Sequence, residues 1–466
     1  MQIPIINGIY TDSDSDFRTS YPINMVPVPK NQGISQGYLR PAEGIVELAQ
    51  GTGVDRGAVL WDDVCYRVSG DRLISVSDNG VVTDYGSISN NHKQVTLDYS
   101  FDNLGITSDG RFYLFDKTNI QEVTDPDLGV VLDHIWVDGY FLLTDGEFLI
   151  VTELNDPTQI NPLKYGSSEA DPDPVKAILK LRNEPYVLNR YTIEVFSNVG
   201  GTGFPFQRID GAQVQKGVVG THACAILGEQ VAFVGGGREE SLAVWAAFSG
   251  SSTKISSREV DQLLQNYTEN ELSSILLESR MDAGHEFLYL HLPDQTLVYD
   301  LAASRELQTP VWFILSSGIT KSKYLARNFI WKSKRWIVGN PDSNQIGYLT
   351  DSLGEHWGNE IGWEFGTTLL YNEGSGAIFH ELELVGLTGR TGFGENATIY
   401  TQYTLDGVYY SQKKYINAGK FGERGKRLVW LSQGDMRSWR SQKFGGTSRA
   451  RISFARLQAR IEPLAV

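Results

Sequence analysis

Histidine and cysteine are the side chains best suited to metal binding or nucleophilic catalysis, and the seven His and two Cys of this chain are spaced for neither. His285 and His291 are six apart. On a strand they share a face, but at ~3.3 Å per residue they lie roughly 20 Å from each other, too far for one zinc ion. His222 and Cys224, two apart, form a same-face pair if extended. Without a second Cys/His cluster they are expected in a core. Cys65 and Cys224 are too few for a disulfide framework and are expected as buried thiols in a reducing compartment. Asp12, Asp14 and Asp16 superficially match a calcium loop, but no Gly stands at its sixth position and Ile23 replaces the closing Glu, so a polar turn is expected. Gly200-Gly-Thr-Gly203 and Gly235-Gly-Gly237 lack the Lys-Ser/Thr of a phosphate loop and read as turns. Carboxylates are numerous, so spacing alone leaves a glycosidase pair open. The expectation is a protein without catalytic residues, metal or cofactor.

Charge is the other chemical signal. The chain carries −15, yet Lys413 to Arg460 holds 13 Lys or Arg against Glu423 and Asp435, so that segment is +11 and the remainder −26. Arg437, Trp439, Arg440, Lys443, Arg449 and Arg451, followed by Arg456 and Arg460, are the candidate contact residues. Their cations suit phosphates and Trp439 suits a stacked base. The acidic remainder repels DNA at long range, so passage without adhesion fits better than tight binding. The basic stretch is therefore expected as an assembly patch that docks on the acidic part of a neighbouring copy or on another partner, the alternative being a solvated strand face. Neutralising Arg437, Arg440 and Arg451 together is expected to impair assembly and spare the fold.

The elements that must position these residues are strands. Forty-eight Gly against four Met, with 10 Trp, 22 Tyr and 20 Phe between turn formers, is the composition of many short strands joined tightly. Pro4, Pro22, Pro27, Pro29 and Pro41 make residues 1–50 an extended arm. Over 51–358, seven alternating hairpins recur: 63–76, 104–115, 135–151, 177–196, 225–234, 287–300 and 329–339. One hairpin per unit predicts a β-propeller of about six or seven blades, a chain of small sandwiches being the rival. Within it 256–280 reads as a helical insertion of two short helices, with Ser256/Glu259 and Thr268/Glu271 at capping spacing and Leu272, Ile275 and Leu276 as the second apolar stripe. Longer alternating strands over 359–466 predict a C-terminal β-sandwich. The sequence has no signal-peptide pattern and no apolar run approaching the ~18 residues that span a bilayer, so membrane insertion is not expected.

Several collinear stretches resemble a known family: Asp16-Phe-Arg18, Pro22-Ile-Asn-Met25, Gly37-Tyr-Leu-Arg40 with Gly44-Ile45, Tyr66-Arg-Val68 with Gly70, and Val214-Gln-Lys-Gly217 with Gly220-Thr221. Tyr267-Thr268 with Glu271, His285-Glu286, His291-Leu-Pro293 and Leu297-Val-Tyr-Asp300 extend the likeness over about the first 300 residues. The family is the packaged-DNA stabilisation proteins, or tail hubs, of short-tailed phages infecting enteric bacteria. Arg40-Pro-Ala-Glu-Gly44 departs from its usual wording, and the last domain matches mainly in basic, alternating character around Val429-Trp430. The resemblance implies a virion protein assembled in the bacterial cytoplasm. It implies a homohexameric ring below the portal-adaptor ring that retains packaged DNA, conducts it on ejection as non-specific cargo, and carries the tail needle or plug and the tailspikes or fibres. The same architecture also hosts carbohydrate-active and carbohydrate-binding proteins, for which Trp136, Trp245, Trp331 and Trp336 would line a sugar pocket.

Overall fold

The computed structural model describes residues 1–6, 20–30, 37–168, 171–372, 374–391, 395, 397–447, 449 and 451–464. Asp12, Asp14 and Asp16, with the stretch Asp16-Phe-Arg18, lie outside the described residues. The chain divides into two compact units, one of Glu47–Pro293 with Ala326–Tyr348, the other of Met1–Val46, Asp294–Leu325 and Leu349–Val466.

The first unit is a β-propeller. Its innermost strands are Asp55–Trp61, Thr96–Tyr99, Asp133–Val137, Val175–Leu181, Cys224–Leu227, Leu276–Asp282 and Arg327–Lys332. They succeed one another around a ring in which the last neighbours the first, so the described residues form seven blades. Each hairpin read from the sequence falls in a different one. Asp62-Asp63, Arg182-Asn183 and Ser333-Lys334 all have positive φ and link strand partners directly opposed in register. Such two-residue turns match the twist of the strands they join. Apolar clusters lie between successive blades: Trp61, Tyr66 and Val68 meet Leu104, Ile106 and Phe115, and Phe112 and Leu114 meet Phe141, Leu143 and Ile150. Ile135 and Leu142 pack with Val187 and Phe196. Both faces of a middle strand are thereby covered, which accounts for runs such as Leu104–Ser108 that are buried at every position.

The ring closes between the seventh blade and the first. Strand Gly44–Gln50 is the outer neighbour of Gln345–Thr350, and its Leu48 and Ala49 pack with Ile337 and Ile346 of the seventh blade and Cys65, Ile74 and Val76 of the first. Beneath them Arg67 Nε sits 2.8 Å from Asp55 Oδ1, both side chains buried, and Asn328 Nδ2 donates to Asp55 Oδ2 at 2.5 Å. The backbone N–H groups of Asn328 and Phe329 donate to Glu278 at 3.0 and 3.1 Å, tying in the sixth blade.

The helical insertion is shorter than the spacing predicts. Helix α1 is Arg258–Leu264, capped by Ser257 rather than Ser256, and α2 is Glu269–Leu272, with the Thr268/Glu271 capping box in place. Ser273 and Ser274 then turn their hydroxyls onto the carbonyls of Asn270 and Glu271, at 2.7 and 2.8 Å, and the helix stops. Leu276–Asp282 is an innermost strand paired with His285–His291, so Leu276 belongs to the sheet and not to a helical stripe.

The second unit contains the sandwich. One sheet runs Met25–Pro29, Gly37–Pro41, Phe454–Pro463, Ala377–Gly386, Leu428–Leu431, with Gln2–Ile3 added along Phe454–Pro463. The other runs Gly362–Gly366, Trp439–Thr447, Thr398–Thr404, Lys414–Asn417. Their inner faces share a core in which Ile3, Met25 and Leu39 from the beginning of the chain pack with Phe365, Phe379, Leu382, Trp430, Phe444 and Phe454. Of the prolines of the opening residues, Pro27, Pro29 and Pro41 thus lie within strands of this sheet.

Candidate functional site

Two places collect the chemistry-bearing side chains. The first is the propeller axis, where a cavity of about 300 Å3 is lined by Thr96, Asp98, Asp133, Lys180, His222 and Cys224, among others. Asp133 is held by three donors: the Thr96 hydroxyl at 2.7 Å and the N–H groups of Ile178 at 2.8 Å and His134 at 3.0 Å. Burial nonetheless dominates and pushes its carboxyl up to about 7. His222 places Nε2 3.2 Å from the same Thr96 hydroxyl, and burial lowers it to about 4. Burial drives the Cys224 thiol well above its ordinary range. A thiol–imidazole pair works as a nucleophile when the thiol is held low, and here both groups are driven to their neutral forms. Asp98 accepts from the Trp136 N–H at 2.6 Å and lies 3.8 Å from Lys180 Nζ, which caps the Trp136 carbonyl at 2.6 Å. The described residues contain no group of three His, Cys, Asp or Glu side chains able to hold a metal ion.

The remaining sequence candidates are dispersed. His285 stacks on Phe287 at 5.1 Å, whereas His291 Nε2 meets Glu278 Oε1 at 2.8 Å. The four tryptophans lie in three blades: Trp136 is edged by Phe101, Trp245 lies under Lys216 Nζ at 4.7 Å, and Trp331 and Trp336 face each other at 5.2 Å. Both cysteines are free and buried.

The second place is the basic segment. Arg437 is exposed, and Trp439 sits half-buried opposite Tyr371. Arg440 is wholly buried: its guanidinium donates to the Gln433 carbonyl at 2.8 Å and to Gln442 Oε1 at 2.9 Å, and it lies over the rings of Tyr403 at 3.8 Å and Phe379 at 4.3 Å. Burial brings it down to about 10. Lys443 Nζ lies 3.0 Å from Glu364. Arg449 Nε is 3.3 Å from Glu355, and Arg451 pairs with Asp351 while donating to the Pro41 carbonyl at 2.6 Å. Outside the six candidates, Arg427 bridges Glu381 at 3.3 Å and Glu383 at 2.6 Å. Much of the +11 is therefore neutralised by carboxylates of the same unit that precede the segment in sequence. The joint change of Arg437, Arg440 and Arg451 mixes an exposed group with an internal one, so it tests the fold as well as a surface.

Sequence reasoning missed Glu364. Its one signal is a lone carboxylate in the apolar strand Gly362-Trp-Glu-Phe-Gly366. Burial opposes its charge, but the ammonium groups of Lys443 and Lys321, the latter at 2.6 Å, overcome burial and hold the carboxyl down at about 2.

Family comparison follows this division of the fold. A model described as bacteriophage P22 Gp10, beta-propeller, matches residues 1–354, and one described as bacteriophage P22 Gp10, beta-sandwich, matches 362–462. A curated relative, tail hub protein gp10 of Salmonella phage P22, is 25% identical over 482 residues, covering 99% of each chain. Among solved structures, the Pan2 WD40 domain of Neurospora crassa is 8% identical with a TM-score of 0.42, over 66% of this chain and 95% of that one. PorZ of Porphyromonas gingivalis is 14% identical with a TM-score of 0.39, over 80% of this chain and 46% of that one. With both of its modules matched in order, the chain belongs to the bacteriophage P22 Gp10 family, the family of short-tailed phage proteins that its sequence resembles.

Proposed function

We propose that this chain is a structural virion protein, the tail hub of a short-tailed phage. In this reading six copies form a ring below the portal-adaptor ring, close the channel over packaged DNA, conduct that DNA on ejection and seat the needle or plug and the tailspikes or fibres. The copies assemble in the bacterial cytoplasm. The observation that carries the reading is the end-to-end match with the P22 tail hub, 99% of each chain, across both modules. The internal chemistry is consistent with it, since the axial thiol and imidazole are both pushed toward neutral forms. A ring needs heterologous contacts between copies, and the cations of the +11 segment that its own unit leaves exposed would meet the acidic remainder of a neighbouring copy there. Of the six candidate contact residues, Arg437 is exposed and takes part in none of the internal contacts described above, and Arg449 keeps half of its side chain in solvent. The test is electron microscopy of phage particles labelled on this protein. Label at the distal end of the tail is expected, and label confined to the capsid shell contradicts the assignment.

A further inference from the structure

A cleft of about 500 Å3 opens on the sandwich sheet that contains Glu364, within the second unit and among residues the hub reading does not use. The Glu364 side chain, 10% exposed, forms its floor. Lys321 and Lys443 flank that carboxylate at 2.6 and 3.0 Å, and the Tyr400 hydroxyl donates to it at 2.9 Å. Lys413 Nζ stands 4.2 Å over the Tyr400 ring, and the Tyr415 ring, 58% exposed, lies 5.6 Å from Tyr400. Gln402, Thr398 and Thr447 add an amide and two hydroxyls to the wall.

These groups form a recognisable set. An ammonium has three N–H donors, so pairing with one carboxylate leaves Lys321 able to donate further. An exposed aromatic face beside planar amide and hydroxyl groups suits a ring with one C–H face and several hydroxyls. The cleft sets the ammonium groups of Lys321 and Lys413 against Glu364, the one carboxylate among its described lining residues. Its surplus is positive and concentrated in one concavity, whereas a single-stranded nucleic acid follows an extended positive groove. We propose that this cleft binds an anionic saccharide, a sugar ring bearing a carboxylate held by Lys413 and Lys321 and stacked on Tyr415.

The test is calorimetric titration of the full chain with oligogalacturonate, its neutral methyl ester, inorganic phosphate and a short single-stranded DNA. Oligogalacturonate is expected to bind at least about tenfold tighter than each of the other three, the scale of one charge-assisted contact. Lys413→Ala and Tyr415→Ala are each expected to weaken that binding by about tenfold or more without moving the melting temperature, since both side chains are exposed. Equal affinity for acid and ester, or for phosphate or DNA, overturns the ligand class. Absence of binding, or binding untouched by both variants, overturns the site. None of these readouts depends on ring formation, so they stand or fall apart from the hub assignment.

Discussion

Arg440 and Arg437 are three residues apart and share a charge, but their environments differ. Replacing Arg440 with Met removes the donors to Gln433 and Gln442 and leaves those acceptors inside the sandwich. We expect a loss of about 2–4 kcal/mol, against less than about 0.5 kcal/mol for Arg437→Gln. Equal thermal shifts for the two variants would refute this account of the segment. Asp133 gives a prediction about pH. Its folded carboxyl titrates near 7, whereas an unfolded aspartate titrates at about 3.9, so between these values the folded state keeps a proton the unfolded state has lost. Stability from this group therefore falls as pH rises from about 4 to about 7, by about 1.4 kcal/mol per pH unit. His134, His222 and His356 act in the opposite sense. Burial holds them down at about 3, 4 and 4, so the folded state resists protons that the unfolded chain accepts below about 6.5, and stability falls toward acid. Asp133→Asn mimics the protonated acid, and its melting temperature relative to the parent is expected to rise between pH 5 and pH 8. A constant difference across that range would mean Asp133 ionises freely in the fold.

At the scale of elements, the glycines of the motif Val214-Gln-Lys-Gly217 with Gly220 have a steric explanation. A Cβ on Gly217 would lie 2.3 Å from the Asn189 carbonyl oxygen, and one on Gly220 would lie 2.0 Å from that of Ser273, where α2 ends. Backbone on both sides leaves no room to yield, so Gly220→Ala is expected to lower stability by about 3 kcal/mol or more. Gly425→Ala, with nothing within 4 Å, is expected to be neutral. Comparable melting of the two variants would remove close packing as the reason for the motif. The hairpins were legible in the sequence because strand alternation and turn residues are local signals. Leu276 was misread because Leu272, Ile275 and Leu276 also satisfy a helical period, and the strand is decided by His285–His291, which follows it. Arg440 was equally illegible: on Trp439–Thr447 burial does not alternate, and both faces of that strand are largely covered.

At the scale of the molecule, the sequence conveyed the propeller-plus-sandwich composition but not the long-range connections. Gln2–Ile3, Met25–Pro29 and Gly37–Pro41 read as an arm, because nothing local says that Gln2–Ile3 and Gly37–Pro41 pair with Phe454–Pro463 and that Met25–Pro29 joins the same sheet through Gly37–Pro41. The basic segment read as a surface because its neutralising carboxylates, Glu364, Glu381 and Glu383 among them, precede it by tens of residues. The central claim is that the chain acts by assembling, and mass measurement tests it directly. Purified chain, alone and with the portal-adaptor ring proposed as its partner, should be weighed in solution by analytical ultracentrifugation. The account predicts a closed species of six times 51.9 kDa, formed alone or on the adaptor. A chain that stays monomeric at every concentration and passes the adaptor without binding would contradict it.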